Sequence, residues 1–194
     1  MKGERLGEFE EFTLLAVRAL GDNTYAVPIQ QYVEKVTARP ISVDAEEFEE
    51  LDRIFHEAYR VGLTTISLAA DAEAAIRAWP GGQSLLSMWF HDELVPAVQT
   101  YGLAGMFTRI DGRPTEVDGG LKAGHLARHL AEQQVPGDQV VLIGDSLDDA
   151  EAAESVGGAC VLYTGGFTDP SRLRASGRPV ADTLLEAVRI ARTL

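Results

Sequence analysis

The sequence holds a single cysteine, Cys160. An internal disulfide is therefore excluded, which fits a reducing, cytoplasmic setting. Positive charge is also scarce: 17 Lys+Arg stand against 30 Asp+Glu, for a formal net charge of −13. A surface this negative repels phosphate backbones and anionic headgroups, so neither nucleic acid nor membrane is expected as a partner. No apolar run approaches the roughly 18 residues of a spanning helix. The opening MKGERLGEFEEF has no long apolar stretch behind its charges, so it is not read as a secretory signal. Internal repeats and low-complexity tracts are lacking too. What is present is a 45% hydrophobic fraction, enough for a core, in 194 residues. That length suits one domain with a small appendage.

The first 38 residues form one compositional block. Phe9, Phe12, Leu15, Ala16 and Ala19 recur at helical spacing, and Gly21-Asp22-Asn23 reads as the stop. A second helix is expected over about 25–36, and Arg39-Pro40 ends it. Between 42 and 60, Ser42 or Asp44 can cap a helix whose apolar stripe is Phe48, Leu51, Phe55 and Tyr59. The opposite face of that helix is strongly acidic and reads as solvated.

After Gly62 the texture alternates. Helices are expected at 71–79, 92–101, 122–134, 148–156 and 181–194, the last with a T-x-x-E start at Thr183 and Glu186. Strands are expected at 83–88, 106–110, 140–143 and 159–163, with Asp111-Gly112 as a turn. The continuous apolar runs at 140–143 and 159–163 suit strands buried on both faces. Such alternation predicts an α/β class: a parallel sheet flanked by helices, with ligands bound at the carboxyl ends of the strands.

By that rule the residues just after the strands are the ones placed to meet a ligand. In VVLIGDSLDDAEAAESVGGACVLYTGG (140–166) a buried strand ends in Gly144-Asp145, and Asp149 comes one helical turn later. Two carboxylates converging at a strand end suit a hard cation, Mg²⁺ above all; alternatively, Asp148 and Asp149 serve only the helix N-terminus. Thr164-Gly165-Gly166 succeeds the next strand and can offer backbone amides to a phosphate. Four histidines, His56, His91, His125 and His129, complete the inventory. His125 and His129 share a helix face at i,i+4, a possible zinc pair, but read better as solvated helix residues. Trp79 and Trp89 read as packing residues, and Cys160 as a small buried apolar one.

The 140–166 block resembles the fourth motif of the haloacid dehalogenase-like (HAD) phosphohydrolases. The resemblance extends upstream: QSLLSMW places Ser87 like the Ser/Thr of their second motif, and GGLKAGHLARHL places Lys122 like the Lys of their third. It covers about 43–194. It implies a Rossmann-like sheet and Mg²⁺-dependent hydrolysis of a small phosphorylated molecule. Ser87 and Lys122 would take part in catalysis and bind the phosphate together with Gly165 and Gly166, and Asp145 and Asp149 would hold the metal. The departure from the family is its first motif, D-x-D-x-[TV], which supplies the nucleophilic Asp and the first, central strand; no such sequence is present. Of four stand-ins, Asp44, Asp71 and Asp111 lie in the wrong context, leaving Asp22 behind the apolar run 13–17 as the candidate. The metal site is then expected to be weak. The strands ending at Ser87 and Asp145 must either pair directly or receive a replacement between them. Two readings stay open for this part, a phosphatase and a catalytically inactive remnant or binding protein; a third and least favoured, a DNA-binding transcription regulator, rests on residues 6–42 alone.

Residues 6–42 resemble the start of PadR-type winged-helix transcription regulators. The resemblance stops before a recognition helix: in its place stands the acidic segment with Glu46, Glu47, Glu49, Glu50 and Asp52. A face of that sign does not suit base edges or phosphates. The organisation expected is a helical segment 1–41 ahead of an α/β domain 42–194, with 42–68 as a cap remnant.

Overall fold

The computed structural model of the protein describes residues 67–114, 122–166 and 168–194. The expectations for the helical start, the cap remnant and Asp22 lie outside these residues. In chain order the elements are α1 (Ala72–Ala78), β1 (Ser84–Phe90), α2 (His91–Thr100), β2 (Arg109–Arg113), α3 (Lys122–Gln133), β3 (Val141–Gly144), α4 (Leu147–Ser155), β4 (Ala159–Tyr163), α5 (Pro170–Ala175), β5 (Val180–Ala181) and α6 (Leu184–Ala191). Among them no helix is long and apolar enough to cross a membrane.

All strand pairings are parallel, as the alternation predicts. β1 pairs with β2, and β3, β4 and β5 pair in that order. Among the described residues β1 and β3 do not pair, so the direct closure considered from sequence does not occur. One helix layer nevertheless serves both groups: Leu126 and Leu130 of α3, with Ala152 of α4, pack against Leu86 of β1 and against Val140 and Leu142 at β3.

β4 shows why this part of the chain folds as it does. Its side chains alternate between faces, as a strand requires. Cys160 and Leu162 meet Ala150, Ala153 and Leu173 on the α4–α5 side, while Val161 meets Ala187 and Ala191 of α6 on the other. Val161, Leu162 and Leu173 are fully buried. β3 departs from its expected burial: every residue of Val141–Gly144 stays half-buried. Its faces are covered by the same helices, but among the described residues only one of its edges carries a strand.

Two helix starts arise from local chemistry. Thr183 caps α6, accepting from the Glu186 amide at 3.1 Å, and Glu186 reaches back to the Asp182 amide at 2.9 Å. Asp71 precedes α1, yet its carboxylate caps α6 instead, accepting from Leu185 N at 2.9 Å. That bond ties the first helix of this part of the chain to its last. Asp111-Gly112 is not a turn but lies inside β2. A Cβ at Gly112 would come within 2.5 Å of the His91 backbone, so the glycine permits close approach of two segments.

Cys160 is buried, and burial, with a further contribution from the nearby Asp149 charge, pushes its thiol up to about 12. Almost no thiolate exists at neutral pH, so the folded protein should not react with Ellman's reagent. One thiol should be released on unfolding in guanidinium. Rapid titration of the native protein would contradict this.

Candidate active site

The strand-end rule directs attention to the carboxyl end of β3. Ser146 is the N-cap of α4 and Asp149 its third residue, and the two form a reciprocal capping box. Asp149 Oδ2 accepts from Asp145 N at 2.9 Å, Ser146 N at 3.0 Å and Ser146 Oγ at 2.9 Å. Its Oδ1 faces the ammonium of Lys122, at the first residue of α3, in a close ion pair. The Asp149 side chain is only 2% exposed, so both oxygens are committed inside the protein.

Asp145 sits above this arrangement and is half-buried. Its carbonyl accepts from the buried Thr168 hydroxyl, which links the β3 loop to the loop after β4. A Cβ on Gly166 would overlap the Asp145 Oδ2. The glycine therefore lets the TGG segment lie directly against that carboxylate. Gly165 lies in the same way against the Tyr163 ring. Burial pushes the neighbouring Asp148 carboxyl above its usual range, with Lys122 opposing and Asp149 and Glu151 adding to the shift.

Of the residues singled out from sequence, Lys122, Asp145, Asp149 and Gly166 are thus brought together. Ser87 lies within β1 rather than at its end, in the stretch where register shifts between Leu86 and Phe90. Its Oγ accepts from Trp89 N at 3.1 Å.

The capping alternative for Asp149 and the cation reading meet in one residue: it caps the helix and it pairs with Lys122. The fit to a divalent cation can be judged from the donors. Among the described residues no group of three or more His, Cys, Asp or Glu forms a ready metal cage. With Asp149 engaged, an ion would rest chiefly on Asp145. Mg²⁺ accepts such a site, since it keeps several waters and uses one or two carboxylates plus ligand oxygens.

A second polar cluster lies between β1, β2 and α3. His129 is buried, Nδ1 lies 2.6 Å from Asp111 Oδ2, and Nε2 lies 2.8 Å from Ser84 Oγ. Asp111 Oδ2 also accepts from Arg109, which pairs in turn with Glu132. Burial acts to raise the Asp111 carboxyl, but the hydrogen bonds from Arg109 and His129 outweigh it and hold the group below its usual range. His125 is buried as well, its Nδ1 2.9 Å from an Arg128 nitrogen. Both histidines are therefore interior residues, contrary to the solvated reading. Their polar partners, Asp111 and Ser84 for one and Arg128 for the other, make burial tolerable. A cleft of about 550 Å³ opens beyond β1 and β2, lined by His91, Asp111, Gly112, His125 and Arg128 among others.

Comparison with known proteins agrees with this architecture. Residues 117–187 match the family model described as HAD-hydrolase-like. Solved structures with the same fold include a conserved haloacid dehalogenase-like protein of unknown function from Agrobacterium tumefaciens. It is 16% identical at a TM-score of 0.69, over 94% of this chain and 90% of that one. A haloacid dehalogenase-like hydrolase from Streptococcus pneumoniae is 18% identical at 0.68, over 93% and 88%. A predicted phosphoglycolate phosphatase from Haemophilus somnus is 15% identical at 0.65, over 93% and 88%. No curated protein matches the chain. The chain resembles the HAD-hydrolase-like model over 117–187, and its fold is that of these solved structures.

Proposed function

We propose that this scaffold holds a small phosphate ester together with Mg²⁺ at the carboxyl end of β3. The observation that carries the reading is the gathering of the Asp145 carboxylate, the Gly166 backbone against it and the Lys122 ammonium in one place. Asp145 would hold the ion, with Asp149 organising the loop behind it and anchoring Lys122. When bound, Mg²⁺ supplies charge neutralisation to the phosphate oxygens. Lys122 adds a fixed positive charge, Ser87 a hydroxyl donor, and Gly165 and Gly166 backbone amides. The absence of D-x-D-x-[TV] from the sequence favours a second form of the same reading, a scaffold that binds the ester without turning it over.

Both forms share one test. Mg²⁺ plus inorganic phosphate should raise the melting temperature of the wild type and leave that of Asp145→Asn unmoved. Hydrolysis of p-nitrophenyl phosphate above the Asp145→Asn level would identify a working phosphatase. Hydrolysis equal to it would identify the non-catalytic form. No thermal shift in the wild type would overturn the site itself.

A further inference from the structure

The His129 cluster is separate from the phosphate site, and the reading above leaves it unused. Its connectivity is that of a nucleophile, a base and an orienting acid. Asp111, an ionised carboxylate, can only accept, so in the singly protonated imidazole that a general base requires the 2.6 Å contact places the proton on Nδ1. Nε2 is then an acceptor, and the hydrogen bond at 2.8 Å must be donated by the Ser84 hydroxyl. Gln133 Nε2 completes the direction of the chain by donating to Ser84 Oγ at 3.3 Å. Gln133 is itself held by donation to the His129 carbonyl at 3.1 Å. Every member is supported: Asp111 by Arg109, Arg109 by Glu132, and the imidazole by its own burial.

Ser84 is the one exposed residue of β1, so the reactive end of the relay opens to solvent while its base is shielded. It begins the strand, three residues before Ser87 and ~10 Å away along the backbone. It therefore belongs to the opposite end of the strand from the ligand-binding edge.

We propose that Ser84, His129 and Asp111 form an acyl-transfer site that takes small, unhindered activated carboxylic esters. The step balances without a further reactant except water. His129 Nε2 takes the Ser84 proton as Oγ bonds to the carbonyl carbon. The proton then passes to the departing alcohol oxygen as its bond to that carbon breaks, leaving an acyl-serine. A water, deprotonated by the same nitrogen, cleaves the acyl-serine to carboxylate and restores Ser84. Gln133 Nε2, which donates to Oγ, holds the hydroxyl oriented toward the imidazole. Asp111 is a positioning residue that acts through the imidazole.

The test uses the full-length protein and a small alkyl fluorophosphonate, with adducts located by mass spectrometry. Here the Oγ–P bond forms as fluoride leaves. The expected result is an adduct at Ser84 and none at Ser171, an exposed serine whose hydroxyl donates to the Asp169 carboxylate and to no imidazole. Ser84→Ala should abolish the adduct. His129→Gln should slow it by at least ~100-fold, the lower range of general-base contributions. Equal labelling of Ser84 and Ser171, or no label on Ser84, would overturn the proposal whether or not the His129 variant folds. Undiminished labelling in a folded His129→Gln protein would do the same.

Discussion

Replacing Lys122 with methionine should destabilise the protein by about 3 kcal/mol, measured by urea denaturation. The size reflects where the pair sits. Lys122 and Asp149 have side chains 15% and 2% exposed. Removing one partner of so buried a pair leaves the other charge without its counterion in a poorly solvating medium. The i,i+4 pair Arg77–Glu73 is a built-in comparison, since its side chains are 65% and 61% exposed. Arg77→Met should cost less than about 1 kcal/mol, because water and salt already screen that pair. A second variant separates stranded charge from lost packing. If the charge is responsible, Lys122→Met with Asp149→Asn should be more stable than Lys122→Met alone. Equal costs for Lys122→Met and Arg77→Met would mean that Asp149 is satisfied by its three donors without the ammonium.

How far the sequence reveals this arrangement depends on how local each interaction is. β4 is legible to the residue, because an apolar five-residue run between a glycine pair and a Thr-Gly-Gly turn leaves little choice. The α6 cap is legible for the same reason: Thr183 and Glu186 are three apart, and the cap needs nothing beyond them. α5 and β5 are not legible. A six-residue helix and a two-residue strand carry too little periodicity, and β5 exists only through its pairing with β4. The histidines show the other limit. His129 looks like a surface residue until Asp111 and Ser84 arrive from positions 18 and 45 residues earlier, and only folding brings them within hydrogen-bond reach. Asp111-Gly112 misleads for a related reason. The pair has turn chemistry, but its glycine serves the close passage of the His91 backbone. At the candidate site, sequence order places Lys122, Asp145 and Asp149 in one neighbourhood. It does not show that Asp149 commits one oxygen to backbone amides and the other to Lys122, since that division is decided by side-chain geometry.

That division also explains the second large effect, expected at Gly144. A methyl group there would overlap the Cβ, Cγ and Oδ2 of Asp149. Such a clash is cheap when the neighbour is the free end of a flexible side chain, but Asp149 is not free. Oδ2 is held by Asp145 N, Ser146 N and Ser146 Oγ, and Oδ1 faces Lys122. Gly144→Ala must therefore either expel the carboxylate from all of these partners or displace the end of β3 from its pairing with Leu162. Overpacking and the broken ion pair together should cost about 3 kcal/mol or more. Asp149→Gly removes all three obstructing atoms, the Cβ included, while incurring its own loss, so the two substitutions should be strongly non-additive. The double variant should be about as stable as Asp149→Gly alone, because the added methyl then occupies space already vacated. Additive losses in a urea double-mutant cycle would show that Gly144 is required for its backbone rather than for the room it gives Asp149. The candidate phosphate site would then owe its shape to the strand end and not to the locked carboxylate.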